Sequence, residues 1–180
     1  MIGQPDEPQA TSPGDPEPID ECRPDSIIDL ARALQRQLAV PVWVECGRPV
    51  TVAGPALGAV SMPQALGARV IQSADPQVVL PVLADPLGHR RIFLVDPTEP
   101  IPPRMNRLLA ADHVVVVPHG HRIPLPGANA AGSWRWVRHL GHHPIQPPTR
   151  TWLLHQIRPH LTSDHRRGAR PGPIHLRETP

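Results

Sequence analysis

The sequence predicts an α+β fold in which helices pack on a small mixed, mainly antiparallel sheet. Two observations support this class: short β-branched runs separated by turn residues, and neighbouring segments whose apolar residues recur at helical spacing. The 27 prolines among 180 residues keep the elements short, because proline fixes φ and lacks a backbone N–H. We expect one domain over residues 25–161, with disordered tails over residues 1–24 and 162–180.

The two predicted tails differ in composition and charge. Residues 1–24 are acidic and proline-rich, with too little apolar surface to offset the entropy of ordering, and residues 162–180 are rich in Arg, Gly, Pro and His. The whole chain has a net charge of +2, but residues 1–30 carry −7 and residues 101–180 carry +8. This asymmetry points to the C-terminal half as the surface that would meet an anionic partner.

The first predicted element is an amphipathic helix capped by Asp25 or Ser26. Its apolar side chains fall at helical spacing, at Ile27, Leu30, Ala31, Leu34 and Leu38. Two β-branched runs follow, Val40 to Glu45 and Pro49 to Ala53, and the Gly47-Arg48 pair between them is typical of a hairpin.

The next predicted unit is a strand that leads through a proline into a helix. The strand covers Leu57 to Met62, and Pro63 suits the first turn of a helix that continues to Ser73. Asp75-Pro76 ends that helix.

An antiparallel pair is predicted after this helix. Its strands are Val78 to Leu83 and Arg91 to Val95, and the turn between them is Asp85 to Gly88. Because Ile92 to Val95 is apolar on both faces, the second strand should lie in the centre of the sheet.

The rest of the domain is predicted to contain two helices with short extended segments between them. In chain order these elements are a helix from Pro102 to Asp112, strand Val114 to Val117, segment Arg122 to Leu125, strand Ser133 to Val137, and a helix from Thr149 to Leu161.

Residues 54–148 resemble the N-terminal domain of bifunctional DNA primase-polymerases, as found in short actinobacterial proteins. The resemblance rests on the order of several short features. These are Ser61 to Gly67, Pro81-Val82 before an Arg-rich hairpin, Ile92 to Val95, Val114 to Val117, Gly120, Leu125-Pro126 and Trp134-Arg-Trp136. The resemblance implies a primase-polymerase-like fold for the domain.

The chain departs from that family where catalysis would occur. Polymerase members hold two divalent cations with carboxylates on the strand before the proline, and such cations need hard oxygen ligands. The matching positions here are Gly58 and Ser61. Asp75, Asp85 and Asp96 lie elsewhere, where they are typical turn formers. The resemblance therefore implies a degenerate active site with no catalytic residue and no cofactor, and argues against an enzyme.

The leading hypothesis is a non-catalytic module that binds a partner protein or nucleic acid through its Arg- and His-rich C-terminal half. Arginine contacts phosphate and indole rings stack on bases. The candidate nucleic-acid-binding residues are Arg122, Trp134, Arg135, Trp136 and Arg138. Two tryptophans at alternate positions of a strand are more often a sign of core or half-buried packing.

Two alternatives remain. One is a residual primase or nucleotidyltransferase whose divalent metal is held by acids from other places, such as Asp96 and Asp112. The other is a metal-binding regulatory protein, since imidazole suits zinc, nickel and copper. Its candidate ligands are His119, His121, His142 and His143, which are otherwise solvated loop residues.

Several classes of protein are disfavoured. The sequence has no Gly-x-Ser-x-Gly elbow, P-loop or dinucleotide fingerprint. It also lacks an uninterrupted apolar run of the roughly 18 residues that a transmembrane helix needs. Cys22 and Cys46 are too few for a disulfide framework. We therefore expect a cytoplasmic protein without a membrane partner; the sequence gives no oligomeric state.

Overall fold

A five-stranded sheet separates two hydrophobic clusters, one on each of its faces. The predicted tails, residues 1–24 and 162–180, lie outside the described part of the chain. The computed structural model describes residues 26–98, 100–127, 133–138, 140 and 144–161.

The helices are short. The longest that the structure describes has 12 residues, and none in the described ranges is both long and apolar enough to cross a membrane. The helices are α1 (Ile27–Leu38), α2 (Gln64–Ser73), α3 (Pro103–Ala111) and α4 (Arg150–Ile157), followed by a 3₁₀ turn (Arg158–His160). The strands are β1 (Trp43–Glu45), β2 (Arg48–Val52), β3 (Gly58–Pro63), β4 (Val82–Ala84), β5 (Arg90–Val95), β6 (Val115–Val116), β7 (Arg122–Pro124) and β8 (Arg135–Trp136).

The strands form two sheets. The larger has the order β6-β3-β5-β4-β8 and the smaller β1-β2-β7, and every strand pair within them is antiparallel. The α+β, mainly antiparallel class is thus confirmed, with the strands divided between two sheets. The division occurs where Gly54 N–H donates to Leu57 O at 2.8 Å. After this tight turn the chain continues as β3 of the larger sheet, and β2 pairs with β7 instead of β3.

Side-chain alternation along β3 and β5 assigns residues to the two clusters. Val60 and Phe93 face the cluster that packs against α2, α3 and α4. Ala59 and Leu94 face the cluster shared with α1 and the small sheet. Both faces of β5 are therefore buried, which confirms the central position predicted for Ile92 to Val95.

The predicted N-terminal helix is confirmed together with one of its two candidate caps. The Ser26 side chain accepts a hydrogen bond from Asp29 N–H at 3.1 Å, which satisfies a donor that the first turn leaves unpaired. Ala31, Leu34 and Leu38 form the buried face, as their spacing indicates.

Several predicted elements are shorter in the structure, among them the strands that become β1, β6 and β8. Strand β4 begins at Val82 because Asp75 O accepts from Val78 N–H in a turn, and Pro81 has no N–H for the ladder. The last helix ends at Ile157, where Pro159 follows within a 3₁₀ turn.

Gly67 on α2 touches β5 so closely that a side chain would not fit. A Cβ there would lie 2.6 Å from Arg91 Cβ and 2.7 Å from Arg91 Cγ. We expect Gly67→Ala to destabilise the domain by about 1 to 2 kcal/mol, because overpacking exceeds the gain of about 1 kcal/mol in helix propensity. Urea denaturation measures this change. Gly54→Ala is the control, since its Cβ would have no neighbour closer than 3.9 Å; equal effects of the two substitutions would contradict the prediction.

Candidate functional site

The predicted junction of strand, proline and helix is present. Strand β3 ends at Pro63, which has a φ of −55°. Pro63 directly precedes the first residue of α2, and no side-chain hydrogen bond caps this helix. Gln64 N–H donates to His89 O at 2.8 Å and so ties the start of α2 to the turn between β4 and β5. The junction is thereby held against the centre of the sheet.

The two positions that the resemblance aligns with metal-binding carboxylates lie on opposite faces of β3. Gly58 pairs with Val95, and a Cβ on it would lie 3.0 Å from Pro97 Cβ. Ser61 is three residues further along, so its side chain points to the other face. Carboxylates at both positions would therefore be unable to ligate one cation together.

Ser61 is hydrogen-bonded to an arginine. Arg90 Nε donates to Ser61 Oγ at 2.7 Å, and Arg90 Nη2 donates to Ser61 O at 3.1 Å and to His113 O at 2.9 Å. These three bonds fix the guanidinium across β3 and the loop before β6. A permanent positive charge thus stands beside Ser61, where it would repel a divalent cation.

A cavity of about 720 Å³ opens beside the edge strand β6. Its volume falls within the range of about 300 to 1,000 Å³ that is usual for small-molecule sites. The basic side chains along it come from Arg90, His113 and Arg150, and no acidic residue is among the described residues that line it. The other lining residues are Ile101, Asn106, Leu109, Ala110, Val114, Val115, Val116 and Pro118.

A smaller cavity of about 210 Å³ shares Val116 and Arg150 with the larger one and also contains His119. Arg150 Nη2 donates to Pro97 O at 3.0 Å, which holds this side chain at the start of α4 between the two cavities. Arg150 therefore contributes positive charge to both.

The predicted nucleic-acid-binding residues are divided between the two sheets. Arg122 is on β7 of the small sheet and pairs with Glu45 Oε1 at 2.9 Å, whereas Arg135 is on β8 at the edge of the large sheet. Trp134 and Trp136 are half-buried and pack on the cluster shared with α1, as the core-packing interpretation requires. Arg138 is also half-buried. None of these five residues lines the large cavity.

The histidines do not form a metal centre within the described ranges. His119 and His121 lie exposed between β6 and β7, and His142 and His143 are outside the described residues. Across the parts of the chain that the structure describes, no three His, Cys, Asp or Glu side chains are placed to hold one ion.

The turn-forming interpretation of three aspartates is confirmed. Asp75 accepts from Gln77 N–H at 2.8 Å, Asp85 from Arg90 N–H at 2.8 Å, and Asp96 from Thr98 N–H at 3.0 Å. Asp112 is the C-terminal cap of α3.

Sequence reasoning missed Arg90, His113 and Arg150 as a set. They are separated along the chain. Arg90 and His113 meet because β3 pairs with both β5 and β6, and Arg150 is held nearby because its backbone N–H donates to Asp96 O at 2.8 Å. The arginine content of residues 101–180 signalled a basic surface without indicating which side chains converge.

No protein-family model matches the chain, and comparisons with curated proteins and with solved structures give no match.

The opposite orientations of Gly58 and Ser61 predict the outcome of restoring carboxylates. We expect Ser61→Asp, alone or combined with Gly58→Asp, to form an ion pair with Arg90 and to create no Mn²⁺ site. Calorimetric Mn²⁺ titration measures this, with circular dichroism to verify folding. The single variant keeps the test valid if Pro97 prevents the double variant from folding. A stoichiometric Mn²⁺ site in either folded variant would show that our assignment of faces is wrong.

Proposed function

We propose that the protein is a non-catalytic, primase-polymerase-like module that binds nucleic acid by holding phosphate in the cavity beside β6. The observation that supports this best is the convergence of Arg90, His113 and Arg150 on one cavity, with no acid among the described lining residues. A cavity lined by arginines attracts anions, and the guanidinium fork matches the oxygens of a phosphate group.

The fixed position of Arg90 favours phosphate binding. Its three hydrogen bonds use Nε and Nη2, and none of them uses Nη1. A guanidinium that is already ordered loses less conformational freedom when an anion binds. Arg90 would therefore provide a preorganised, charge-assisted contact to a phosphate oxygen.

The apolar part of the cavity suits the rest of a nucleotide. Ile101, Leu109 and Val115 line it together with the basic groups, so a base or sugar has apolar surface to contact while its phosphate meets the arginines. The +8 charge of residues 101–180 favours a polymeric anion as the ligand, because a chain of phosphates can interact with positive charges over a wider surface.

The same geometry argues against catalysis at Ser61. Two-metal phosphoryl transfer needs carboxylates that bring two cations to the reacting oxygens. Here the Arg90 guanidinium lies 2.7 Å from Ser61 Oγ and supplies a positive charge of its own. The charge remains useful for binding phosphate, but it provides neither a metal site nor a general base.

Binding can be tested by placing a negative charge in the cavity without disturbing Arg90. We expect Asn106→Asp to weaken binding of single-stranded DNA about fivefold at low salt, because an added charge near phosphate costs about 1 kcal/mol. Gln35→Glu is the control; it makes the same amide-to-carboxylate change on the exposed side of α1. Fluorescence anisotropy over a series of salt concentrations measures both variants. Absence of binding by the parent protein at low salt, or equal effects of the two changes, would overturn the proposal.

The non-catalytic part has its own test. We expect no nucleotide incorporation in primer extension with Mg²⁺ or Mn²⁺, because Arg90 occupies the position beside Ser61. An active polymerase assayed in parallel verifies the substrates. Incorporation that disappears when the protein is omitted would restore the primase alternative.

A further inference from the structure

We propose a second phosphate-binding site, formed by Arg91 and Arg135 on either side of Ala84 at the end of the large sheet near the β4–β5 turn. The ligand is a phosphate group, carried either by a small anion or by a nucleic-acid backbone. Neither arginine lines the cavity beside β6, so this site does not depend on the proposed function.

The strand register places the two arginines in one row. Ala84 on β4 pairs with Arg91 on β5 and with Arg135 on β8. Side chains of directly paired residues point to the same face of a sheet. Since neighbouring strands are about 4.8 Å apart, the two arginine Cα atoms are roughly 10 Å apart with only a methyl group between them. Two long cationic side chains therefore flank a small residue on one face.

Both guanidinium groups approach Gly88. Arg91 Nη1 donates to Gly88 O at 3.3 Å. Arg135 Nη2 lies 3.8 Å from the point that a Cβ on Gly88 would occupy. Gly88 has a φ of +75°, which favours glycine, so the turn presents no side chain at this point. Both guanidiniums thus lie close to the half-buried backbone of Gly88.

The electrostatics at this turn favour an anion. Burial lowers the pKa of Arg91, the charge of Arg135 lowers it further, and Asp85 opposes the shift. Asp85 also accepts a hydrogen bond from the backbone N–H of Arg90 at 2.8 Å, so its carboxylate is already hydrogen-bonded to the backbone of the turn. Two positive groups therefore interact unfavourably near the Asp85 carboxylate, and a phosphate that contacts both would relieve their repulsion.

Arg91 is held in place before any ligand arrives. A Cβ on Gly67 would lie 2.7 Å from Arg91 Cγ. Because Gly67 has no side chain, the aliphatic part of Arg91 has room to pack against α2. Arg135, in contrast, is exposed. The site combines one fixed guanidinium with one that can adjust to the anion.

The experiment compares Arg135→Gln with Arg48→Gln in the full chain. Both arginines are exposed, and Arg48 lies on the small sheet, so both variants lose one surface charge. Thermal unfolding is followed in sodium phosphate and in sodium chloride of equal ionic strength. We expect phosphate to raise the melting temperature of the parent and of Arg48→Gln more than that of Arg135→Gln. The difference between variants matters, because phosphate also stabilises folded proteins non-specifically. Equal responses of the two variants would overturn the proposal.

A titration with single-stranded DNA identifies the source of the phosphate. If the ligand is a nucleic-acid backbone, Arg135→Gln should bind about fivefold more weakly at low salt, and its log–log salt slope should fall by about 1. A lost phosphate response with an unchanged slope supports a small phosphate-bearing anion instead. Asn106→Asp should lower only the part of the phosphate response that comes from the cavity. A response that Asn106→Asp lowers and Arg135→Gln leaves unchanged would therefore overturn this site and not the cavity proposal.

Discussion

The antiparallel register between β3 and β5 determines most of the structure. Six residue pairs, from Gly58 with Val95 to Pro63 with Arg90, fix which side chains face each cluster. A shift of one residue would exchange the two faces, bringing Ser61 and Arg90 to the side where Met62 and Phe93 now pack. The packing of apolar residues on both faces opposes such a shift, because it would mismatch these side chains and turn polar or charged groups towards an apolar cluster.

As a result, the side chains of adjacent residues of β5 lie on different faces of the sheet. Arg90 bonds to Ser61 and His113 on one face, whereas Arg91 approaches Gly88 and lies in the row of Arg135 on the other. Because side chains alternate along β5, these two arginines lie on opposite faces of the sheet. Each takes part in a different proposed phosphate site. The rigid centre of the sheet supports both, which reduces the ordering needed when an anion binds.

Local patterns predicted those parts of the fold that local forces determine. The spacing of Leu34 and Leu38 predicted α1, and the Pro63 junction predicted the start of α2, because periodicity and proline geometry act within a few residues. The pairing of β2 with β7 joins residues about 70 positions apart and left no local signal. Arg90 was missed for the same reason: its partners Ser61 and His113 lie 29 and 23 residues away.

Both edges of the large sheet are strands of only two residues, β6 and β8. An edge strand usually presents a row of unpaired N–H and C=O groups on which another chain can extend the sheet. Two residues offer too few such groups for a stable added strand, and Pro118 removes a further donor just beyond β6. Although Val115 on that edge is 51% exposed, the shortness of β6 itself limits edge-to-edge aggregation.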